Sequence, residues 1–480
     1  MKNYLFIVLA MLQLTAKCQF LDSLQVKAGT SGTAASKGYQ PLWLEANRFG
    51  TITDQQYDFS THVKITNANR VGAPITMYDT DDKGLYFDYG IDVYNNDHAR
   101  KTFFEQAFIR ARYKNMTLSA GRFEQIIGEV DHDLSSGSLG TSGNALPIPK
   151  INFAIDYTNV PLTNGWLQFK GMISHGWMGQ DQFIKSAYLH EKNFYLRLGK
   201  GKFKLYGGIQ HYAVWGGERP GSFTLDNSLS AFLKVFTVQS GDDGSQGNNP
   251  LPNRPGDQRG VIEGGAEWED DNLKVQLNSQ TPFDTGQGIT PKNIDRLLSL
   301  NIINKKEDAI WKKLVLEFIY TKQMNDFYAI QFRESYYNNG VYRTGWEYND
   351  RIIGTPLFIN RQRGQDYFSD VKPYDWNAPT NTIQPLSNII SNRVVGGHVG
   401  AIFAITENIR SKNMLTYTNN YGNYNDFHFN QHLSQAYTMQ EVSWRLPKSQ
   451  LSLTGTLAYD FGDLSSNFGS MIGLNWQLKN

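Results

Sequence analysis

The chain has 480 residues, with 46 Lys and Arg against 45 Asp and Glu and a formal net charge of +1. A balance this close to zero argues against nucleic acid as the partner, because nucleic-acid-binding domains carry a basic excess. The single cysteine, Cys18, excludes a disulfide framework. Aromatic residues make up 13% of the chain while the mean hydropathy is only −0.46. This combination favours a membrane barrel with a polar lumen face and aromatic girdles.

The first 18 residues have the features of a secretory signal peptide. Lys2 precedes an apolar run over residues 4–14, which is shorter than the roughly 20 residues of a membrane-spanning helix. Ala16 and Cys18 are small residues at positions −3 and −1 of a cleavage site before Gln19. Lipidation of Cys18 is the alternative, and Lys17 disfavours it because a small residue is needed there. We predict a signal peptide over 1–18 and one outer-membrane β-barrel domain over 19–480.

Apolar and polar residues alternate with period two in many segments. In residues 85–94, for example, Phe87 and Ile91 fall on one face of a strand while Asp88 and Asp92 fall on the other. The same alternation occurs in residues 202–210, 273–278 and 451–460, and in the last segment, where Ile472, Leu474, Trp476 and Leu478 share a face. Such alternation predicts strands with one apolar and one polar face.

A barrel in lipid must be closed, because every backbone polar group needs a partner. We therefore predict an all-β, transmembrane antiparallel barrel, with the C-terminal strand pairing with the first. Each strand together with its connection uses roughly 25 residues, so the predicted barrel domain has room for about 18 strands. Long loops are predicted at residues 127–150, 240–260 and 355–387, and a short helix at 291–301. A soluble β-sandwich or propeller array is the alternative, since it shares the alternation.

Three segments resemble the Wzi capsule-assembly family in the form found in the Bacteroidetes. They are Pro-Leu-Trp-Leu-Glu-Ala-Asn-Arg-Phe-Gly at 41–50, the stretch from Gly-Arg-Phe-Glu at 121–124 through the serine-rich run to 150, and residues 190–217. The resemblance follows the same order from about residue 41 to 217 and continues more weakly to the C-terminus. The serine-rich run that ends in Asn-Ala-Leu-Pro-Ile-Pro at 144–149 is its most specific part.

The resemblance implies an outer-membrane barrel that acts as a surface lectin. Members of the family hold capsular polysaccharide at the cell surface or assist its assembly there. The implied partners are therefore capsular or extracellular polysaccharide and outer-membrane lipid. The best-known members also carry a periplasmic helical bundle, which we do not find in this sequence. Contact with a capsule export machine consequently stays open.

Sugar binding requires flat aromatic faces and planar hydrogen-bonding groups, and an acidic polymer adds a need for Arg or Lys. The resembling segments supply such candidates for polysaccharide binding: Arg122, Glu124, Asn144, Trp177, Lys192, Arg197, His211, Tyr212, Trp215 and Arg219. For the aromatic residues the alternative is a membrane girdle or barrel packing. For Arg122 and Arg197 the alternative is a network of ion pairs in the lumen with acids such as Glu124 and Glu191.

We predict no catalytic residue, no metal site and no cofactor. His190-Glu191 lacks the second histidine of a zinc protease, because position 194 is Phe194. His175, His190 and His211 have no metal-binding spacing. Two rival functions remain. One is a porin or oligosaccharide channel, which shares the polar lumen. The other is an outer-membrane lipid hydrolase, for which His428, His432 and Ser434 form only a loose set.

Overall fold

The computed structural model describes residues 24–67, 84–239, 255–328, 333–379 and 382–478. The predicted signal peptide and residues 240–254 of one predicted loop lie outside these ranges. Eighteen strands form one closed antiparallel sheet, which confirms the predicted fold class and strand number. In chain order β1–β18 are Gln25–Ala35, Tyr57–Thr66, Leu85–Asn96, Lys101–Tyr113, Met116–Arg122, Lys150–Asn159, Leu167–Trp177, Tyr188–Leu198, Phe203–Trp215, Asp257–Glu269, Leu273–Phe283, Arg296–Asn304, Trp311–Tyr320, Val394–Ala404, Ile409–Gly422, His428–Arg445, Leu451–Gly462 and Asn467–Leu478.

The barrel closes between its first and last strands, as predicted from the C-terminal alternation. Val26 of β1 pairs with Leu478 of β18, and the antiparallel register continues to Ala35 and Gly469. Every strand thereby has two hydrogen-bonded neighbours, and the sheet has no free edge. This is the condition for stability in lipid.

The two ends of the barrel differ. The end where β1 begins and β18 finishes carries short turns such as 114–115 and 270–272, and we call it the turn end. The opposite end carries the long connections 36–56, 123–149, 216–256 and 321–393, and we call it the loop end. Outer-membrane barrels have short periplasmic turns and longer extracellular loops. The loop end is therefore the one that faces outward from the cell.

The outer wall is apolar and bordered by aromatic side chains at both ends. Ile91, Ile209 and Leu415, for example, are 47%, 41% and 51% exposed on this wall. Exposed aromatic residues at the turn end are Tyr113, Phe203, Trp268, Trp311, Trp444 and Trp476, and at the loop end Tyr57, Phe104, Trp177, Tyr459, Phe461 and Phe468. Two such girdles at opposite ends are typical of a barrel that spans an outer membrane.

The predicted helix at 291–301 is wrong. Residues 291–295 form a turn and loop, and the strand β12 begins at Arg296. Leu297 is 1% exposed and faces the lumen, while Leu298 is 37% exposed on the outer wall. The apparent helical face is thus split between the two sides of a strand. Pairing with β11 and β13 supplies backbone hydrogen bonds on both edges, and this outweighs local propensity.

Three of the long connections fold into the lumen, and two of them form its plug. Plug loop 1 is residues 123–149, which connect β5 to β6 at the loop end. Its Ser136 backbone N–H donates to Glu317 Oε2 on β13 at 2.7 Å, and the Leu134 carbonyl lies 2.6 Å from His398 Nε2 on β14. Since β13 and β14 lie on the opposite side of an 18-stranded barrel from β5, this loop crosses the whole lumen.

Serine hydroxyls shape the middle of plug loop 1. Ser135, Ser138 and Ser142 each accept a hydrogen bond from the backbone N–H two residues later, at 3.1, 3.2 and 3.1 Å. Such turns bend the chain without external partners. The serine-rich run therefore forms a compact core of the plug, and its hydroxyls also bond groups outside the run, as Ser142 Oγ donates to the Gly354 carbonyl at 2.6 Å.

Plug loop 2 is residues 321–393, and it packs on plug loop 1. Trp346 Nε1 donates to the Gly140 carbonyl at 2.7 Å, and Tyr337 Oη donates to the Leu139 carbonyl at 2.8 Å. Phe49 of the first loop, residues 36–56, donates its backbone N–H to the Gly143 carbonyl at 2.6 Å. These three loops together fill the lumen towards the loop end.

The predicted long loop at residues 127–150 is thus present, but it lies in the lumen instead of projecting outward, and its last residue, Lys150, begins β6. Nearly all of residues 134–148 are buried inside the barrel. The reason is that their small and polar side chains find partners on the lumen wall, such as Gln280 Oε1, which accepts from the Leu139 N–H at 2.9 Å. Solvent is the default environment for such residues only where no buried partner is available.

Helices are few among the described residues. They are the α-helices α1 (Leu42–Glu45), α2 (Leu229–Thr237) and α3 (Arg361–Gly364), and a 3₁₀ turn at Gly286–Gly288. No helix in the described part of the chain is long and apolar enough to cross a membrane.

Packing between plug loop 1 and the wall is testable at Gly140. A Cβ at this position would overlap the hydroxyl of the buried Tyr212, whereas a Cβ at Gly455 on β17 would meet nothing within 4 Å. We expect Gly140→Ala to destabilise the packed plug by about 1–3 kcal/mol, since overpacking forces neighbours to shift. Thermal unfolding and limited proteolysis of plug loop 1 measure this effect. Gly455→Ala is the control, and equal behaviour of the two variants would contradict the tight contact.

A polar cleft at the loop end as the candidate functional site

A cleft of about 710 Å³ opens above the plug. The first loop, both plug loops and the turn between β3 and β4 line it. Its walls carry seven amide side chains, from Gln55, Asn96, Asn144, Asn349, Asn360, Gln362 and Gln365. Each amide offers a donor and an acceptor in one plane. A wall of this composition is suited to a ligand with many hydroxyl groups.

Charged groups of both signs also line the cleft. The carboxylates belong to Glu45, Asp54, Asp97, Asp181, Asp350 and Asp366, and the cations are Lys101, Arg122, Arg351 and Arg363. Apolar contact surface comes from Phe103 and Phe358. Aromatic rings of this kind can contact the C–H faces of a sugar ring.

A buried ion network forms one side of the cleft. Glu45 Oε1 lies 2.7 Å from Arg351 Nη1 and 2.7 Å from Arg363 Nη1, and Arg363 Nη1 is 3.2 Å from Asp54 Oδ1. Glu45 is positioned by α1, and Arg363 by α3, whose N-cap Asn360 accepts from the Arg363 N–H at 3.0 Å. Paired and hydrogen-bonded charges of this kind can persist out of water.

The carboxyl groups of this network have raised pKa values. Burial raises the pKa of Glu45 to about 7, and the nearby guanidinium of Arg351 offsets only part of the effect. Burial also raises the pKa of Asp54, and that of Asp366 to about 6. Near neutral pH the Glu45 carboxyl therefore exists in both its protonated and its ionised form.

Asn96 adds a buried acceptor to the cleft wall. Its Nδ2 donates to the Thr51 carbonyl at 3.1 Å, whereas its Oδ1 has no hydrogen-bond partner among the described residues. Asn96 is only 2% exposed. A buried polar atom without a partner costs free energy.

A tight turn presents polar groups to the cleft from plug loop 2. Glu347 and Tyr348 pair with Ile352 and Arg351 across a two-residue connection. The connecting residues Asn349 and Asp350 have φ values of 48° and 62°. Asn and Asp tolerate this left-handed conformation better than most residues do.

Of the sequence candidates, Arg122 and Asn144 line the cleft. Arg122 Nη2 donates to the Tyr348 hydroxyl at 3.2 Å and Nη1 to the Phe104 carbonyl at 3.1 Å, while the side chain stays partly exposed. Asn144 Nδ2 donates to the Ile352 carbonyl at 2.9 Å, which ties the two plug loops together.

Three candidates lie inside the barrel, away from the cleft lining. Glu124 accepts from Gln106 Nε2 at 2.9 Å. Tyr212 is 1% exposed and its ring packs 5.2 Å from that of Trp346. Arg197 stacks on Tyr157 at 3.8 Å near the turn end. Its expected lumen partner Glu191 is instead bound by Lys150 Nζ at 2.6 Å.

Four candidates point outward from the barrel wall. They are Trp177, Lys192, His211 and Trp215. In β8 the exposed Phe194 and Leu196 fix the outward side, and Lys192 has the same parity. In β9 the exposed Leu205 and Ile209 mark the outward side, and His211 and Trp215 have the same parity. The remaining candidate, Arg219, is held in a loop by the carbonyls of Trp376 and Ala378, at 2.8 Å each.

The cleft also contains groups that sequence reasoning missed. Glu45 lies within a segment used for the family resemblance, but no site role was assigned to it. Arg351 and Arg363 belong to plug loop 2, of which residues 355–387 were predicted only as a long loop. The Asn349-Asp350 pair is a turn signal that could have marked the tip of the hairpin.

Metal binding has no support in the geometry. Within the described residues, no group of three or more His, Cys, Asp or Glu side chains is placed to hold a metal ion.

Comparisons with known proteins identify the fold. No protein-family model and no curated protein sequence matches the chain. Among solved structures it is similar to Escherichia coli Wzi, "an Outer Membrane Protein Involved in Group 1 Capsule Assembly" and "a Carbohydrate Binding Beta-Barrel", with a TM-score of 0.55 and 14% identity over 98% of this chain and 87% of that chain. Pseudomonas aeruginosa OccK11 gives a TM-score of 0.46 and 8% identity over 95% of each chain. The protein is thus an outer-membrane β-barrel with a Wzi-like fold.

Protonation of Glu347 behind the cleft is testable. Burial raises its pKa to about 8, and the nearby Asp350 adds to the shift. Because this exceeds the ordinary value of 4.5, the neutral form stabilises the fold fully below 4.5, and stability is lost as pH rises through about 8. We expect a loss of up to about 1.4 kcal/mol per pH unit between pH 4.5 and about 8, and no further loss above that, because Glu347 is then ionised in both the folded and the unfolded chain.

Thermal unfolding of Glu347→Gln between pH 4.5 and 9 measures this contribution. A Gln side chain keeps a carbonyl acceptor for Asn360 and Asn388 and cannot ionise. The variant should match the parent near pH 4.5 and lose less stability as the pH rises to 8. Glu307→Gln, at an exposed turn, should keep the parental pH profile. Identical profiles for the parent and Glu347→Gln would contradict the assignment.

Proposed function

We propose that this protein binds capsular or extracellular polysaccharide at the cell surface and supports capsule assembly or attachment without catalysing a reaction. The observation that carries the proposal is the amide-rich cleft at the outward end of a barrel whose lumen is filled by its own loops. Its volume of about 710 Å³ lies within the range of roughly 300–1,000 Å³ that is usual for ligand sites. The fold shared with a carbohydrate-binding barrel supports the same conclusion.

The cleft groups divide the work of recognition. The amides that line the cleft would bond sugar hydroxyls, and Phe103 would contact a ring face. Arg122 would recognise a carboxylate where the polymer carries one, since a guanidinium binds carboxylates in a bidentate manner. The Glu45 network holds the cleft wall in place through Arg351 and Arg363.

Retention of a polymer does not need tight binding of one repeat. Once one repeat is bound, the next repeats are held at a high effective concentration near other barrels in the membrane. Many weak contacts then keep the polymer attached without a covalent anchor. Outer-membrane lipid surrounds the barrel, and an export machine would meet the protein only if assembly is part of its role.

A catalytic role is the less supported alternative. The buried carboxyl groups at the cleft are engaged by guanidinium groups, as Glu45 is by Arg351 and Arg363. His428 and His432 of the hydrolase alternative lie on β16 near the loop end, and Ser434 Oγ donates to Asn419 Oδ1 at 2.8 Å instead of to a histidine. Incubation of the purified protein with phospholipid and lipopolysaccharide should yield no hydrolysis products.

Binding to polysaccharide is the first test. We expect saturable binding of the detergent-solubilised protein to one or more capsular polysaccharides in a panel that includes the capsule of its own source bacterium. Arg122→Ala should weaken binding by about tenfold or more, because a hydrogen bond to a charged group contributes about 1.5–3 kcal/mol. Arg410→Ala, at an exposed position near the turn end, is the matched control. Absence of binding to every polymer, or equal loss in both variants, would refute the proposal.

Conductance distinguishes the proposal from the channel alternative. Plug loop 1 crosses the lumen and plug loop 2 packs on it, so the folded barrel should conduct poorly. In planar bilayers we expect a conductance at least about tenfold below that of an open porin of similar strand number, since a plugged lumen offers no continuous water path. A steady conductance comparable with that of the porin would support the channel instead.

A further inference from the structure

The helix α2 lies on the outside of the barrel. It belongs to the loop-end connection that follows β9, and its Ala231 and Val235 pack on Ala213 and Trp215 of that strand. Ala213 and Trp215 share the parity of Leu205 and Ile209, which are 47% and 41% exposed on the lipid-facing wall. The helix therefore covers part of the surface that lipid would otherwise contact.

The wall beneath α2 carries polar side chains beside Ala213 and Trp215, unlike the apolar wall nearer the turn end. His175 on β7, His190 and Lys192 on β8, and His211 on β9 all occupy outward positions. Nearer the turn end the same strands present Ile173, Phe194 and Ile209, which are 37%, 49% and 41% exposed. A charged or polar side chain on the lipid face is destabilising unless something covers it.

The contacts of α2 match this polar surface. Phe232 packs 5.6 Å from the ring of His190 and 6.1 Å from that of His175. Lys192 Nζ donates to the Phe236 carbonyl in the last turn of the helix, and it lies 4.4 Å from the Phe236 ring. A cation at a helix C-terminus is favourable both for the free carbonyls and for the helix dipole.

The face of α2 turned away from the barrel carries two leucines beside the exposed Ser230 and Thr237, and nothing covers it in the described structure. Leu229 and Leu233, one turn apart, are 73% and 52% exposed. Because Phe232 lies near Trp215 and Phe236 near Lys192, the helix descends from the loop end along the wall. Leu233 is thus carried towards the apolar band of the barrel.

We propose that α2 is a lipid-contact element, whose Leu229 and Leu233 insert among the acyl chains of the outer leaflet while its other face shields the histidines and Lys192. Continuity with the lipid-facing wall selects lipid as the occupant. A second copy of the chain is disfavoured because two leucines supply far less than the roughly 800 Å² per partner of a stable interface. The inference concerns the outer wall and is independent of the proposed polysaccharide site.

Site-directed spin labelling tests the proposal. Leu233→Cys is made in the full chain, whose only other cysteine is Cys18 of the predicted signal peptide, and a nitroxide is attached. The protein is placed in phosphatidylethanolamine–phosphatidylglycerol vesicles, and collisions with oxygen and with a water-soluble nickel chelate are measured. The label should favour oxygen, as a label at Ile209→Cys in the apolar band should. A label at Ile383→Cys, 98% exposed in plug loop 2, should favour nickel.

Two outcomes would overturn the inference. One is a Leu233 label as accessible to nickel as the Ile383 label, which would place α2 in water. The other is strong dipolar broadening between labels on neighbouring molecules, which would make a second copy the occupant. Lys192→Ala should also increase the mobility of the Leu233 label, whereas Lys202→Ala at an exposed turn should not. Equal mobility in both would remove the role of Lys192 in holding the helix.

Discussion

Satisfaction of the backbone in lipid is the constraint on which this structure depends. Eighteen strands pair on both edges, and the pairing of β1 with β18 removes the last free edge. Since the lipid face must be apolar, the polar half of each strand has to face the lumen. The lumen thereby becomes a polar cylinder, and its carboxylates and amides bind the loops that fold into it, as Glu317 binds Ser136 and Gln280 binds Leu139.

The filled lumen in turn creates the candidate site. Plug loop 1 crosses the barrel and supports plug loop 2, whose hairpin at Asn349-Asp350 and helix α3 then form walls of the cleft. A binding surface on packed loops is more rigid than one on free loops, and rigidity lowers the entropic cost of holding a ligand. The arrangement suits a surface that retains polymer better than one that passes solutes.

The outer wall must also keep its polar groups away from lipid. Where the strands β7 to β9 present histidines and Lys192 outward, the chain covers them with its own helix. The residues that suggested sugar contacts in this region, such as Trp215 and His211, pack against or beside that helix or face lipid. Chemically suitable residue types thus occur on both sides of the wall, and only their parity along a strand decides which solvent they meet.

The sequence by itself determined the closed antiparallel barrel and its strand number. The alternation of apolar and polar residues, and the distance along the chain from one strand to the next, are local properties that can be read without the fold. It could not place the candidate residues. A shift of one residue moves a side chain between lipid and lumen, and the partners of Glu45, at Arg351 and Arg363, lie more than 300 positions away in the chain. Two segments also depended on long-range contacts. Strand pairing replaced the predicted helix at residues 291–301, and partners on the lumen wall drew residues 127–150 into the barrel. The segments that most resembled a known family form the plug and its contacts with the wall. The cleft above them was assembled only by the tertiary structure, because long-range hydrogen bonds with the barrel wall decide where polar loops lie.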